Sequence, residues 1–345
     1  MRITVVGAGA MGSLMAARLA ASNNEVVLFG RPSAHLTLLQ ERGLTLIERD
    51  GRQRMVPLAA TTDAADARGS ELVIVLVKAW ATAEATAPLR EVLTRETAVL
   101  TLQNGLGNAA TLRSTLLRGG VRPSVWMGVT TQAAFRPEPG VVVHTGDGIT
   151  AIGRRTIGAN ERLKAIAACF SLAGWQTIAV DDIHRWVWRK LAVNAAINPL
   201  TALAGVPNRV ISSDAGLRAA AAALAAEVVA VANARGVAID TAEVLAAVEE
   251  VARATGENRS SMLVDLDQNA RTEIDAINGA VVAEGRRRGV KAPANQLMTA
   301  LIRARERRAQ LSEPAANGQV EDDGLELSGD SAAGPARSSG QMARR

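Results

Sequence analysis

Cysteine is nearly absent, with Cys169 the only one in 345 residues. A single thiol closes no intramolecular disulfide and offers no Cys-rich spacing for structural zinc, so nothing points to an oxidising compartment and a cytoplasmic location is expected. Aromatic residues are scarce too: five Trp, three Phe and no Tyr. Nucleic-acid surfaces combine clustered cations with stacking rings, so the net charge of +5 reads as suited to small anionic ligands, and no nucleic-acid partner is expected. The densest basic stretch, Arg303 to Arg308, ends a helix-like pattern, where cations suit the helix dipole. Long apolar runs are missing as well. The apolar start reaches glycine at Gly7, too early for a secretory core of about 7 to 15 residues, and no stretch approaches the roughly 18 apolar residues of a membrane span. The three histidines, His35, His144 and His184, show no ligand spacing, and no metal site is expected.

What is present is enough apolar material, 48% of the chain, for two ordinary cores. Residues 2–6 are β-branched, 7–12 form a glycine turn, 13–21 are Ala- and Leu-rich, and Val26 to Phe29 is a second apolar run. That is a β-α-β unit, followed by buried-strand candidates at Leu72 to Val77, Ala98 to Leu102, Ser124 to Gly128 and Val141 to His144. Apolar runs alternating with helical spacers predict an α/β Rossmann-type domain with a parallel sheet, assigned to residues 1–181. Beyond it lie Ala-rich periodic segments near 185–204, 214–235, 241–254, 260–287 and 294–310, which predict an all-helical domain over 182–311 with the active site in the cleft between the two. From Ser312 periodicity is lost, and residues 312–345 read as a disordered tail.

Gly7-Ala8-Gly9-Ala10-Met11-Gly12 matches G-x-G-x-x-G between a strand and a helix, the context the dinucleotide fingerprint requires. Gly7 permits the turn, Gly9 lets backbone approach a pyrophosphate, and Gly12 allows close packing while the helix N-terminus faces the anion. The second strand ends Leu28-Phe29-Gly30-Arg31, without the Asp or Glu that would bind a ribose 2'-hydroxyl of NAD. Arg31 offers a charged planar fork for a 2'-phosphate, so NADPH/NADP is the expected cofactor, against the alternative of an arginine with no ligand. Lys78 and Asn104 each follow an apolar run and so sit at carboxyl ends of strands, where open α/β sheets bind ligands; a solvated lysine and a simple Asn-Gly turn are the alternatives.

Lys190, Asn194 and Asn198 recur every fourth residue in an otherwise apolar segment, a polar stripe along one helix face. A buried stripe without partners costs about 1 to 3 kcal/mol per unsatisfied amide, so the stripe is expected to face a ligand. Pro199 should end or kink this helix beside Asn198. A partly desolvated lysine releases its proton more readily, which suits the reduction of a ketone, where negative charge develops on oxygen as hydride arrives. The alternative is a surface lysine with two asparagines bonded at a helix end. Asn258, Ser260 or Ser261 could cap a helix, and Glu273 could be an ordinary face residue. On one straight helix Ser261 and Glu273 would differ by about 120° in direction.

Taken in order, these segments resemble the ketopantoate reductase family over about residues 1–310. The resemblance is carried by the glycine fingerprint, Val77-Lys78, Leu102-Gln103-Asn104-Gly105 and Arg189-Lys190-Leu191-Ala192-Val193-Asn194 with Asn198-Pro199-Leu200-Thr201-Ala202. Pro207-Asn208, Ser260-Ser261-Met262-Leu263 and Thr272-Glu273-Ile274-Asp275 with Ile277-Asn278-Gly279 complete it. It implies NADPH-dependent reduction of 2-dehydropantoate to pantoate, a step of pantothenate and coenzyme A biosynthesis. It also implies that Gly7 to Gly12, Arg31, Lys78, Asn104 and Ala134 hold the cofactor and that Lys190 gives the proton. Asn104, Asn194, Asn198, Asn208, Asn258 and Ser261 would surround the substrate beside Lys190, with Glu273 where cofactor and substrate meet. Two departures are Gln132, where relatives often carry histidine, and the tail after Ser312. A reductase of another small branched 2-keto acid and a non-catalytic NADP-sensing relative are the competing expectations. No membrane partner is expected, and a homodimer is left open.

Overall fold

The computed structural model describes residues 1–117, 122–156, 158 and 160–311, so the expected tail lies outside the described residues. Twelve strands form two sheets among the described residues. They are β1 (Arg2–Val6), β2 (Glu25–Phe29), β3 (Leu44–Ile47), β4 (Gln53–Val56), β5 (Ala59–Thr61), β6 (Leu72–Val75), β7 (Ala98–Thr101), β8 (Ser124–Thr130), β9 (Ala133–Phe135), β10 (Val141–Gly146), β11 (Thr150–Gly153) and β12 (Thr177–Ala179). The large sheet runs β12-β11-β8-β7-β6-β1-β2-β5 and the small one β4-β3-β10-β9.

From β5 to β8 all neighbours in the large sheet are parallel, as the apolar runs predict. The parallel run stops at β11, which is antiparallel to β8 and parallel to β12. The reason is the connection. After β8 the chain makes a short excursion through β9 and β10 in the small sheet and returns without a crossover helix, and short returns give antiparallel pairs. The run at Val141 to His144 accordingly belongs to the small sheet. Strands β1, β2, β6, β7 and β8 are largely buried because helices cover both faces of their sheet: α1 (Ala10–Ala20), α2 (Ala34–Arg42), α3 (Thr82–Thr86), α4 (Asn108–Leu117) and α5 (Glu161–Leu172). Leu14, Leu28, Trp126 and Phe170 fill the core on one face, and Val6, Val73, Leu89 and Leu112 fill it on the other.

The rest is helical: α6 (Ile183–Ala204), α7 (Arg209–Ser213), α8 (Ala215–Ala234), α9 (Thr241–Ala254), α10 (Ser261–Asp267), α11 (Asn278–Arg288) and α12 (Pro293–Leu311). Leu191, Ala192, Ala195 and Ala196 of α6 pack in one core with Leu224, Ala225 and Val228 of α8. Among the described residues only α8 is long and apolar enough to cross a membrane by length and composition. It contributes to that core, and its Glu227 accepts from the first amides of α12, Ala294 N at 2.8 Å and Asn295 N at 2.9 Å.

Two helical expectations are corrected. First, α6 does not end at Pro199 but continues to Ala204, where Gly205 caps it with φ of 68°. Proline at 199 removes the amide that would bond the Ala195 carbonyl. The buried side chain of Asn278 supplies the missing donor, Nδ2 to Ala195 O at 3.0 Å. Second, the single helix expected over 260–287 is two helices separated by a ten-residue turn segment, 268–277. Asn269 adopts φ of 52°, a left-handed stop after α10. Glu306 of α12 then takes the Thr272 amide (2.7 Å) and hydroxyl (2.6 Å), groups that a continuous helix would have bonded internally.

Candidate active site

The glycine turn between β1 and α1 is built as its sequence requires. A Cβ on Gly12 would lie 1.9 Å from the Gly7 carbonyl oxygen, and Gly7 itself has φ of 114°. Gly9 is different: it is exposed, a Cβ there would meet nothing within 4 Å, and as N-cap of α1 it brings no side-chain cap. The first amides of α1 therefore face open space at the positive end of a helix, which fits the pyrophosphate of a dinucleotide. Arg31 is exposed just past the end of β2. Ala134 lies on β9 opposite His144. Arg136, two residues beyond Ala134, donates to Ala8 O at 3.4 Å, a contact with the glycine turn that sequence spacing gave no reason to expect. Behind the turn, His35 sits between Ser13 Oγ (2.9 Å) and the Gly140 amide, which donates to its Nδ1 (2.8 Å). Burial, helped by Arg136, lowers its pKa to about 4, so it is a neutral packing group.

Asn104, Lys190 and Glu273 come from three separate segments and form one bonded cluster. The Lys190 ammonium donates to Asn104 Oδ1 at 2.9 Å and to the Thr130 carbonyl at 2.7 Å. Asn104 Nδ2 donates to Glu273 Oε2 at 3.2 Å, and Ala79 N donates to Glu273 Oε1 at 2.9 Å. With its NH2 group fixed on a carboxylate, the Asn104 amide turns its oxygen to the lysine. Close approach of the two halves makes this feasible. Gly105, φ 82°, would place a Cβ 2.3 Å from Ala276 O, and Leu106 N donates to that same oxygen at 2.8 Å. Burial lowers the Lys190 pKa from 10.5 to about 8, while the charge of Glu273 pulls it back up.

Lys78 donates at 2.5 Å to Asp265 Oδ2 on α10. Burial raises the Asp265 pKa, an effect that Lys78 opposes and the charges of Glu273 and Glu306 reinforce. Neither Asp265 nor Thr130 was expected from the sequence. Asp265 follows Ser261 by one helical turn, a spacing that gains meaning only once Lys78 is placed opposite; Thr130 acts through its backbone, which carries no residue signal. Residues 78–80 dock as a strip on the α10–α11 segment, since the Trp80 ring also lies 5.5 Å from the Arg271 guanidinium.

Asn194 and Asn198 continue from Lys190 along α6, and among the described residues neither side chain has a hydrogen-bond partner. Asn198 is buried. Ser260, not Asn258 or Ser261, is the cap of α10, accepting from Leu263 N, and its hydroxyl also takes part in bonds to Thr201 Oγ1 and Asn198 O. That leaves Ser261, at the exposed start of α10, free of capping. Asn208 and Asn258 lie past the end of α6, joined by Asn208 N to Asn258 O at 3.0 Å; Asn258 is exposed, and the buried Asn208 Oδ1 has no partner.

Comparison with known proteins identifies the family. Residues 3–156 match the family model described as "Ketopantoate reductase PanE/ApbA" and residues 182–306 the one described as "Ketopantoate reductase PanE/ApbA C terminal". A 2-dehydropantoate 2-reductase of Halobacterium salinarum is 40% identical over 309 residues, covering 89% of this chain and 99% of the relative. One from Pyrococcus horikoshii is 35% identical over 307 residues, 89% of this chain and 98% of the relative. Among solved structures, a PanE/ApbA family ketopantoate reductase from Ralstonia eutropha superposes with TM-score 0.81 at 32% identity, covering 90% of this chain and all of that one. A D-mandelate dehydrogenase with NADH and anilino(oxo)acetate superposes with TM-score 0.83 at 27% identity, with the same coverage. The matches run over nearly the full length of these relatives, and the chain belongs to the ketopantoate reductase family, NAD(P)-dependent oxidoreductases on a Rossmann-like fold.

Proposed function

We propose that this protein reduces the keto group of 2-dehydropantoate to the hydroxyl of pantoate with NADPH, and that Lys190 supplies the proton. The observation that carries this reading is the state of the Lys190 ammonium. It has three N–H donors, and two are committed to Asn104 Oδ1 and Thr130 O. One remains for the substrate oxygen. Both committed acceptors are neutral, so no carboxylate holds the proton in place directly, and burial brings the pKa to about 8, close to working pH.

A nicotinamide dinucleotide held at the Gly7–Gly12 turn would supply the hydride for the keto carbon. The protein's part is to stabilise the alkoxide as it forms and to neutralise it, which a fixed ammonium in a partly dry cleft does. Glu273 acts through geometry and field: it fixes Asn104, and its charge keeps Lys190 from losing its proton too early. The unpartnered amides of Asn194 and Asn198 suit the substrate's carboxylate and hydroxyl, and the family resemblance adds Asn208, Asn258 and Ser261 to that set. On this reading residues 1–181 bind the nucleotide and residues 182–311 the keto acid.

The preference for NADPH rests on Arg31 at the end of β2, where no acid stands. Replacing Arg31 by Ala should weaken NADPH binding at least about tenfold, some 1.4 kcal/mol, while leaving NADH nearly unchanged. A constant ratio of the two dissociation constants would remove Arg31 from this role. A second reading, reduction of another branched 2-keto acid, is favoured by the likeness to D-mandelate dehydrogenase. Specificity constants for 2-dehydropantoate and a panel of branched 2-keto acids, each with NADPH and NADH, decide between the two.

A further inference from the structure

The chain leaves the large sheet at Thr130, crosses to the small sheet through Thr131 and Gln132, and returns between Gly146 and Thr150. The two crossings lie side by side and are tied densely. Thr131 N donates to Ile149 O at 3.1 Å and Ile149 N to Thr131 Oγ1 at 3.0 Å. A Cβ on Gly148 would fall 2.4 Å from the Thr131 carbonyl carbon, so the strands of the crossing touch backbone to backbone. Trp175 Nε1, a donor only, bonds Thr150 Oγ1 at 2.7 Å, which leaves the Thr150 hydroxyl to donate to Thr130 Oγ1 at 2.8 Å.

Gln132 bolts this crossing from the other side. Its Nε2 donates to Gly148 O at 2.7 Å, and its Oε1 accepts from His144 Nε2 at 2.9 Å. The imidazole direction is set by its neighbours, since His144 Nε2 also faces Gly146 O and Nδ1 accepts from Arg18. Arg18 is in turn paired with Glu48 at 2.6 Å. The main-chain amide of Gln132 donates to Thr130 Oγ1 at 3.2 Å. Thr130 is therefore gripped through its hydroxyl by both neighbours of the crossing, and it is the Thr130 carbonyl that holds Lys190.

We propose that Gln132 is a positioning residue for the proton donor: by joining His144 to the Gly148 carbonyl it locks the sheet-to-sheet crossing and so fixes the Thr130 carbonyl against the Lys190 ammonium. The proposal rests on the reading of Lys190 as proton donor. An acceptor held at hydrogen-bond distance favours the ammonium over the amine and directs one N–H away from the substrate. A loosened carbonyl does neither. The charged groups around this line are Glu273 on the Lys190 side and Arg18, Glu48 and Asp147 on the His144 side, and none of them is altered by the substitutions below.

The test is the pH profile of kcat for the full chain with 2-dehydropantoate and NADPH. Gln132→Leu removes both side-chain bonds at similar size. It should lower kcat about tenfold and move the basic limb down by about half a pH unit or more, with the NADPH dissociation constant within about twofold of the parent. Thr130→Val should reproduce that shift and Thr130→Ser, which keeps the hydroxyl, should not, so the proposal stays testable should Gln132→Leu fail to fold. A lower Tm with kcat and the basic limb unchanged in both Gln132→Leu and Thr130→Val overturns it. Full activity of Lys190→Ala would instead overturn the proton-donor reading itself, a separate failure.

Discussion

Two lysines enter the cleft from opposite halves, Lys78 at the carboxyl end of β6 and Lys190 in the middle of α6, and their surroundings differ in kind. Lys78 is a third exposed and meets a carboxylate, Asp265, at 2.5 Å. Lys190 meets only neutral oxygens, those of Asn104 and Thr130, with the nearest negative charge one residue removed on Glu273. Lys78 is tied to a charged partner, whereas the neutral acceptors of Lys190 orient it and let burial bring its pKa to about 8. On the proposed reading the same side chain is an anchor in one place and the proton donor in the other.

The largest effect that would sharpen this contrast is expected from Lys190→Ala, a loss of about 10²- to 10⁴-fold in kcat, measured at saturating NADPH. Lys78→Met should instead act on stability. Asp265 would keep its burial without its partner, raising its pKa further above the unfolded value. Such a group binds its proton more tightly when folded, so stability is present at low pH and is lost as pH rises through the folded pKa. Denaturant unfolding should show the variant weaker by about 1 to 3 kcal/mol at pH 8 and much closer to the parent at pH 5. Equal losses at both would show that the pair contributes by contact alone. Glu273→Gln removes the charge that holds the Lys190 pKa up, so the basic limb of kcat should move to lower pH with a loss of about tenfold near pH 8. The smallest effect belongs to Asp265→Asn, which leaves Lys78 free to reach solvent. A stability change above about 1 kcal/mol there would mean that the Lys78 ion pair matters more than its partial exposure implies.

The cofactor half was readable from sequence because its signals are local. The glycine spacing, the β-branched run before it and the Ala-rich helix after it lie within twenty residues, and the structure places them as β1, turn and α1. The stripe from Lys190 to Asn198 was readable for the same reason. What sequence periodicity missed was decided by distant partners. Thr272 leaves the helical path because Glu306, 34 residues on, takes its amide. Asp265 gains its partner from Lys78, 187 residues away. The antiparallel entry of β11 follows from an excursion through a second sheet whose strands, as short as the three residues of β9, carry little pattern of their own.

The missing amide of Pro199 also has a consequence for alignment between helices. A regular α-helix presents equivalent turns, and a neighbour can slide along it by one turn of about 5.4 Å with similar apolar contact. A single unbonded carbonyl, at Ala195, makes one turn unlike the others, and the Asn278 amide fits only there. Asn278 immediately follows the segment that carries Glu273. Proline thus serves as an index mark on α6, keeping the acidic turn in step with Lys190, about two and a half helical turns before the mark.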